Sequence, residues 1–344
     1  MKKQNIINLI KYYVEKNDEA FRTEVVEIAK DFESTGEEAI SEYLMDLIST
    51  TNYYVPQASY KNFQYLRKSV RPNKPLLLPD MLKNDIIGLV RAIDKNMGIN
   101  KILFSGLPGT GKTESAYQIA RLLNRDVLTV EFEELIDSRL GQTAKNISVL
   151  FDEISRVQPQ NVIILFDEID SIVLDRVNNN DLREMGRVTS TFLRELDNVS
   201  NDIVIIATTN LLDSFDKALI RRFDSVISFN RYTKDDLVEI ADALLLNFIK
   251  KSENSKQDIR LFHKILKNAE TIPYPGDLMQ MIKTSVAFAD PENEFDYLRK
   301  FYIALNNNLT QTNIQTLQEQ GYTTREIEIL TKIPKSSVAR KLKV

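Results

Sequence analysis

Residues 106–113 have the sequence Gly-Leu-Pro-Gly-Thr-Gly-Lys-Thr, and the rest of this 344-residue chain can be interpreted outward from them. The stretch follows the apolar run 102–104 and precedes residues 114–123, in which apolar residues recur with helical spacing. In a strand-loop-helix context, a G-x-x-x-x-G-K-[ST] loop directs successive backbone N–H groups into one concavity at the start of the helix. The stretch therefore predicts a polyphosphate site, and its glycines let the backbone approach the phosphates.

Each residue type in this loop suits a role in that site. Lys112 would reach the outer phosphates as a compact charge, and the hydroxyl of Thr113 would ligate a magnesium ion bridging them. The residues predicted to hold the phosphates are Gly106, Pro108, Gly109, Thr110, Gly111, Lys112 and Thr113.

Composition narrows the class of protein. Hydrophobic residues make up 43% of the chain and charged residues 27%, which is ordinary for a globular protein of about two domains. There is no cysteine, and no secretory signal or membrane span is visible, so we expect a cytoplasmic protein with no membrane partner. The formal net charge of -4 argues against a protein that coats nucleic acid non-specifically.

The N-terminal residues are acidic and helical in pattern. Residues 1–50 hold six Lys or Arg and eleven Asp or Glu, a net charge of -5. Their apolar spacing predicts three amphipathic helices with a break at Thr35 and Gly36. Either a docking element for a partner or an inert packing unit fits this pattern. The proline-rich residues 51–80 are predicted to be a linker, in which Arg67 and Lys68 belong to a solvated basic cluster.

From residue 81 to 231, short apolar strands alternate with helical segments. Predicted strands are 102–104, 127–130, 162–166, 203–207 and 226–229. This alternation implies parallel pairing, and hence a three-layer α/β domain whose ligands lie at the carboxyl ends of the strands.

Carboxylates follow one of these strands. Asp167 and Glu168 directly follow the apolar run 162–166, and Asp167 lies 55 residues beyond Lys112. In this position Asp167 would hold the metal, and Glu168 would orient or deprotonate the attacking water. The next strand leads to Asn210, whose amide could position the same water or sense the γ-phosphate, or be an ordinary turn residue.

Two arginines, Arg221 and Arg222, end a short predicted helix farther along the chain. Guanidinium groups can neutralise the charge that develops on a transferring phosphoryl group, and a neighbouring subunit can supply them. A surface salt-bridge pair is the alternative.

These motifs, in this order, resemble an AAA+ ATPase of the AAA-type branch over residues 80–290. Gly106–Thr113 resembles the Walker A motif, Asp167 and Glu168 the Walker B motif, Asn210 sensor 1, and Arg221 with Arg222 an arginine finger. The resemblance implies ATP and Mg²⁺ as ligands, and a ring, commonly a hexamer, in which each protomer completes its neighbour's site. It also implies a small α-helical lid over residues 232–306, with Gly276 beside the nucleotide.

Two stretches depart from the family pattern. Where threading members carry an aromatic-hydrophobic-glycine tripeptide, this chain has Arg139-Leu140-Gly141, which makes a processive unfoldase less expected. The sensor-2 region around Gly276 has no arginine, a feature that many AAA-type members share.

Residues 307–344 predict a helix-turn-helix-like tail. Thr323 and Glu326 form a capping-box signal for one helix, and a turn at Ile333 and Pro334 precedes a second. This resembles DNA-binding helix-turn-helix units. Residues 323–344 hold six Lys or Arg and two acids, so duplex DNA and a protein contact both remain open as the ligand of this tail.

The expected fold is thus an α/β P-loop module of the AAA+ type with a helical lid, an N-terminal helical bundle (1–50) and the C-terminal tail. Three functions are open. The first is an ATPase that remodels or regulates a protein partner, for example one half of a bacterial defence or plasmid-maintenance system beside a subtilisin-like protease. The second is a DNA-acting ATPase recruited by its tail, and the third is a nucleotide switch with little turnover.

Overall fold

The computed structural model describes residues 3–14, 18–34, 37, 40–41, 44, 63–71, 76–137, 139, 141–170, 182–252, 255–306 and 313–342. The chain divides into two compact units, Met1–Asn62 and Phe63–Val344. Thr35 and Gly36, where we predicted a helix break, lie outside the described residues, as does most of the third predicted helix. Among the described helices, none has the length and apolar content needed to cross a bilayer.

The first unit contains the helices α1 (Lys3–Val14) and α2 (Asp18–Ser34). The predicted apolar face of α2 is buried at Val25, Ile28 and Ala29. Asn8 Nδ2 donates to Glu24 Oε2 at 3.1 Å and links the two helices. In contrast, Ile6, Ile10 and Tyr13 on the predicted apolar face of α1 are exposed.

In the part of the second unit that the structure describes, six strands form one sheet: β1 (Leu66–Ser69), β2 (Lys101–Ser105), β3 (Asp126–Val130), β4 (Val162–Phe166), β5 (Val204–Thr209) and β6 (Ser225–Ser228). Their order is β1-β3-β4-β5-β2-β6. The five predicted strands pair in parallel, with Phe104 opposite Thr208 and Ile164 opposite Ile205. The carboxyl ends of β2, β4 and β5 therefore meet at one edge of the sheet.

Strand β1 was not predicted, because it lies within the stretch interpreted as a linker. It pairs antiparallel with β3, with Leu66 opposite Val130. The sequence Leu-Arg-Lys-Ser has two charged residues and therefore lacks the apolar pattern by which the other strands were predicted. Charged residues are typical of a strand at the edge of a sheet, which is where β1 lies. Arg67 and Lys68 are exposed on this strand, where Arg67 pairs with Glu134 at 3.1 Å and Lys68 with Asp126 at 2.6 Å.

Helices cover both faces of the sheet. The helices α3 (Asp80–Asp94) and α4 (Lys112–Leu122) pack on one face against alternate strand residues such as Phe104, Leu165 and Ile206. Four more α-helices lie among the described residues of this part of the unit: α5 (Phe132–Leu135), α6 (Gln142–Ser155), α7 (Leu182–Asn198) and α8 (Lys217–Ile220). On the other face, Phe166 of β4 contacts Phe151 of α6 and Phe192 of α7. The predicted three-layer α/β arrangement is confirmed.

The elements that the structure describes in the rest of the unit are helices. They are α9 (Lys234–Ile249), α10 (Ile259–Asn268), α11 (Pro275–Ala287), α12 (Asp296–Leu305), α13 (Ile314–Glu319), α14 (Thr324–Thr331) and α15 (Lys335–Lys341). The capping box predicted at Thr323 and Glu326 is present at the start of α14.

The predicted lid and the predicted tail share one hydrophobic core. Leu278 and Phe301 of the lid belong to the same buried cluster as Leu317, Ile327 and Val338 of the tail. Charged contacts join the same parts, since Lys264 pairs with Glu326 at 2.8 Å and Lys332 lies 3.4 Å from buried Asp296. The tail therefore packs as an extension of the lid.

Candidate active site

The glycine-rich loop connects the carboxyl end of β2 to the start of α4. Gly106 adopts φ 151° and lies against the residues that follow β6, where an added Cβ would come within 2.9 Å of Asn230 Oδ1. The same Asn230 oxygen accepts a hydrogen bond from the backbone N–H of Leu107 at 2.8 Å. The local fold therefore requires glycine at this position and holds the loop close to the sheet.

Lys112, the first residue of α4, directs its ammonium back over the loop. Its Nζ donates to Gly106 O at 2.7 Å, to Leu107 O at 2.9 Å and to Asn210 Oδ1 at 2.7 Å. Burial lowers the pKa of this ammonium, while the nearby carboxylates, Asp170 foremost, act in the opposite direction. These carboxylates favour a charged lysine in a mostly desolvated position.

Thr113 and Asp167 come together as predicted, because α4 begins at the edge of the sheet where β4 ends. Thr113 Oγ1 donates to Asp167 Oδ1 at 2.8 Å, and Thr208 Oγ1 donates to the same oxygen at 2.7 Å. The Thr208 hydroxyl also accepts the backbone N–H of Glu168 at 2.8 Å. Thr208 is fully buried. Because its hydroxyl makes both hydrogen bonds, this one side chain contacts both Asp167 and Glu168.

Glu168 occupies the left-handed backbone region, with φ 54°. A residue with a Cβ rarely adopts this conformation, and such strain persists only where the surrounding contacts enforce it. Here the N–H of Glu168 is bound to Thr208 and the following N–H, that of Ile169, donates to Thr208 O at 3.0 Å. The constrained turn places the Glu168 carboxylate 3.4 Å from Asn210 Nδ2.

Asn210 therefore lies between Lys112 and Glu168, and its two amide atoms each contact one of them. Its position depends on Asp170, a carboxylate that is only 8% exposed. Asp170 Oδ2 accepts the backbone N–H of Asn210 at 2.9 Å, and Oδ1 accepts the hydroxyl of Thr209. We did not predict a role for Asp170; the available signal was a third acid two residues after Glu168.

A cleft of about 370 Å³ opens above the loop. Its floor is formed by residues 108–114 with Glu168 and Asn210, and its apolar wall by Leu76, Tyr232, Ile240, Leu244 and Met279. This size and lining are typical of a small-molecule site. Tyr232 OH donates to Thr110 O at 2.7 Å, which ties the apolar wall to the phosphate loop.

Gly276 closes the cleft from the lid side. Its N–H donates to Gly109 O at 2.8 Å, and a Cβ built on Gly276 would lie 2.7 Å from Gly109 Cα. The first turn of α11 therefore contacts the phosphate loop backbone to backbone. Gly276, Pro108, Gly109, Thr110 and Gly111 all line the cleft, and their contact with a nucleotide stays a prediction.

Arg221 and Arg222 follow α8 and lie apart from the described lining of the cleft. Arg222 is held within its own chain, because its Nε donates to Asp197 Oδ2 at 3.1 Å and its Nη1 to Ala218 O at 2.5 Å. The Arg221 guanidinium is exposed and has no hydrogen-bond or ion-pair partner among the described residues. The two predicted finger residues thus differ in their availability to another molecule.

The stretch corresponding to the family's pore tripeptide is described only in part, since Ser138 and Leu140 lie outside the described residues. Arg139 is exposed and binds Asp137 through Nε at 3.1 Å and Nη2 at 2.8 Å. These bonds lower the pKa of Asp137 to about 2.

The donor atoms fit Mg²⁺ with a polyphosphate. A hydroxyl and a carboxylate oxygen lie 2.8 Å apart at Thr113 and Asp167, and Mg²⁺ prefers one or two such protein oxygens together with phosphate oxygens and water. The described residues contain no group of three or more His, Cys, Asp or Glu arranged to hold a metal by themselves.

A glycine-rich loop between strand and helix, a lysine and a threonine at the helix start, and an acidic pair at the neighbouring strand end define a P-loop nucleoside-triphosphatase site. Residues 102–231 match the family model for the ATPase family associated with various cellular activities (AAA). The chain therefore contains an AAA ATPase domain.

Relatives and solved structures agree with this assignment. The chain is 40% identical over 132 residues to the uncharacterized AAA family ATPase y4kL of Sinorhizobium fredii, covering 38% of this chain and 39% of that protein. It is 31% identical over 206 residues to peroxisomal ATPase pex6 of Schizosaccharomyces pombe, 57% of this chain and 21% of the relative. It is 37% identical over 142 residues to the proteasome-activating nucleotidase of Methanosphaerula palustris, 39% of this chain and 34% of that protein.

Two structural neighbours share the fold. The FIGL-1 AAA domain in complex with ADP aligns with a TM-score of 0.53 at 16% identity, covering 78% of this chain and 96% of that one. A chain of the E. coli MS115-1 HORMA:CdnC:Trip13 complex aligns with a TM-score of 0.58 at 17% identity, covering 72% and 96%. The chain spans less than half the length of each curated relative named above, so the similarity concerns the ATPase domain.

Proposed function

We propose that this chain hydrolyses ATP with Mg²⁺ in an oligomeric ring and uses the cycle to remodel or regulate a protein partner. One observation carries the catalytic part. Thr113, Asp167, Thr208, Glu168, Asn210 and Lys112 form one connected hydrogen-bonded array at the floor of the cleft. Such an array brings phosphate binding, metal binding and water activation to the same edge of the sheet.

The roles follow from chemistry and placement. Backbone N–H groups of the loop and the ammonium of Lys112 bind the phosphates, while Thr113 and Asp167 hold Mg²⁺. The ion, when bound, neutralises charge on the phosphate oxygens. Glu168 takes the proton of the attacking water or orients it, and the Asn210 amide restrains the Glu168 carboxylate.

A ring is supported by the arginines. Since neither lines the described part of its own subunit's cleft, they serve catalysis only if another subunit presents its cleft to them. Arg221, exposed and unpaired among the described residues, is the better candidate for a guanidinium acting in trans, whereas Arg222 is bound to Asp197. We take a hexamer as the expected assembly.

The relatives suggest the kind of partner. Their names include a peroxisomal ATPase and a proteasome-activating nucleotidase, and one structural neighbour is a chain in a HORMA:CdnC:Trip13 complex. These names favour a protein as the partner of this chain. The acidic N-terminal unit is the proposed docking element, and a protease effector in a defence or plasmid-maintenance system is the proposed setting.

The test measures ATP turnover and the capture of a partner protein. Wild-type protein should hydrolyse ATP when assembled, and Glu168→Gln should bind ATP yet turn it over at least about a hundredfold more slowly, as expected on removal of a general base. The trapped variant should then retain a defined protein from its host after nuclease treatment. A variant that also lacks residues 1–50 should lose that protein while wild-type protein with the same deletion keeps its basal turnover.

Other outcomes would favour the remaining functions. Negligible turnover by an assembled wild-type ring would support a nucleotide switch instead. Loss of the captured proteins on nuclease treatment would support a DNA-acting ATPase.

A DNA-binding tail is the second candidate, and the geometry of residues 323–342 favours it. The two helices α14 and α15 are joined by a short turn at which Lys332 adopts φ 60°, and Val338 is buried while Arg340 and Lys341 are exposed. If this tail binds duplex DNA, Arg340→Ala should weaken binding and reduce its salt dependence. The control Lys250→Ala removes an exposed positive charge at the residue that follows α9 and should leave DNA affinity unchanged.

A further inference from the structure

We infer that Asp170 is a positioning residue of the hydrolytic site, whose buried carboxylate holds the turn after β5 so that Asn210 stays between Lys112 and Glu168. This inference rests on the proposed function, because it assigns Asp170 a part in the turnover that Glu168 and Asn210 would perform.

The first step is the contact itself. Asp170 accepts two hydrogen bonds from consecutive residues, the hydroxyl of Thr209 and the backbone N–H of Asn210 at 2.9 Å. The Thr209 hydroxyl in turn accepts the backbone N–H of Leu211 at 3.0 Å. Three successive residues at the end of β5 are thereby fixed by one carboxylate, directly or through one hydroxyl.

The second step is the need for this restraint. Strand β5 ends at Thr209, so the residues after it have no ladder partner to fix them, and turn residues are commonly mobile. Yet Asn210 must present its amide oxygen to Lys112 at 2.7 Å and its amide nitrogen to Glu168 at 3.4 Å. A shift of about 1 Å at such a group is enough to lower a rate substantially.

The third step concerns charge. A carboxylate that is 8% exposed is costly to bury unless its oxygens are bound, and both oxygens of Asp170 accept hydrogen bonds here. The carboxylate is therefore held in place by the same turn that it supports.

Asp170→Asn provides the test, because an amide has the same shape but offers one acceptor oxygen in place of two. We expect kcat for ATP to fall about tenfold or more while the affinity for nucleotide stays within about threefold, since the phosphate loop is untouched. Thr209→Val should have a similar effect and Thr209→Ser should restore turnover. Asp152→Asn, the same substitution at an exposed residue of α6, is the matched control and should behave as wild type.

A double-mutant cycle separates positioning from a general structural role. If Asp170 acts through Asn210, adding Asp170→Asn to Asn210→Ala should lower kcat no further. Fully additive losses, or a fall in nucleotide affinity equal to the fall in kcat, would overturn the inference.

Hydrogen exchange supplies a readout that does not depend on turnover. In Asp170→Asn the peptide covering residues 208–212 should exchange faster, while the phosphate loop keeps its protection. Unchanged exchange would contradict the assignment even if the wild-type protein proved to be an active ATPase. Absence of turnover in assembled wild-type protein would instead overturn the proposed function, and exchange would still decide whether Asp170 holds the turn.

Discussion

Replacing Gly276 by alanine would test the contact between the lid and the phosphate loop. The added Cβ would lie 2.7 Å from Gly109 Cα and 3.2 Å from Gly109 O, and both are backbone atoms that no side-chain rotation can move away. An ordinary carbon–carbon contact is about 3.5 Å, so the two backbones must separate by roughly 0.8 Å. The hydrogen bond from Gly276 N to Gly109 O, now 2.8 Å, would then exceed hydrogen-bonding distance.

Two costs can be estimated for this separation. Loss of the hydrogen bond costs about 1 kcal/mol, and overpacking of a tight contact costs about 1–3 kcal/mol. If the lid relieves the clash by moving off the loop, part of this cost falls on the cleft that binds the nucleotide. A cost of about 1.4 kcal/mol there corresponds to tenfold weaker nucleotide binding.

The assay is titration of the protein with a fluorescent ATP analogue, together with thermal unfolding. Gly88→Ala is the matched control, because Gly88 lies on the exposed face of helix α3 and its added Cβ meets nothing within 4 Å. That variant should bind normally and be stabilised by about 0.5–1 kcal/mol through its helix propensity. If Gly276→Ala bound nucleotide as tightly as wild type with an unchanged melting temperature, the close approach would not be a requirement of the site.

Two further substitutions probe the floor of the site and the ring. Thr208→Val keeps the volume but removes the hydroxyl that binds both Asp167 and the N–H of Glu168. It should lower the free energy of unfolding by about 1–3 kcal/mol and reduce kcat, as measured by steady-state phosphate release. Thr208→Ser should be close to wild type, and a valine variant as active as wild type would refute the role of the hydroxyl. Arg221→Ala should abolish turnover in a homogeneous ring, and mixing it with Glu168→Gln subunits should restore activity; absence of recovery in the mixed rings would argue against action in trans. Arg222→Ala should chiefly lower the melting temperature, because the contact with Asp197 is lost.

Much of the site could be predicted because its residues carry local signals. The loop 106–113 and the acids at 167 and 168 each stand at the end of an apolar run, and parallel pairing brings those ends to one edge of the sheet. In the structure Lys112, Thr113, Asp167, Glu168 and Asn210 lie together there, while their roles stay predictions. The prediction of Arg221 and Arg222 remains a prediction, since it depends on a second subunit.

Other features had no local signal. The role of Asp170 depends on β4 and β5 being neighbours, which the strand order decides rather than the residues around it. Strand β1 has charged residues at two of its four positions and resembles a linker in sequence. The apolar residues of the tail fit a free-standing helix pair as well as a helix pair packed on the lid, so only the three-dimensional structure distinguishes them.

The shared core of lid and tail has a consequence for nucleotide binding. Because Leu278, on the helix that begins at Pro275 and Gly276, belongs to the same buried cluster as Val338 of α15, the tail shares packed side chains with the helix that contacts the phosphate loop. We therefore expect that truncating α15 would alter the nucleotide affinity of the cleft even in the absence of any partner.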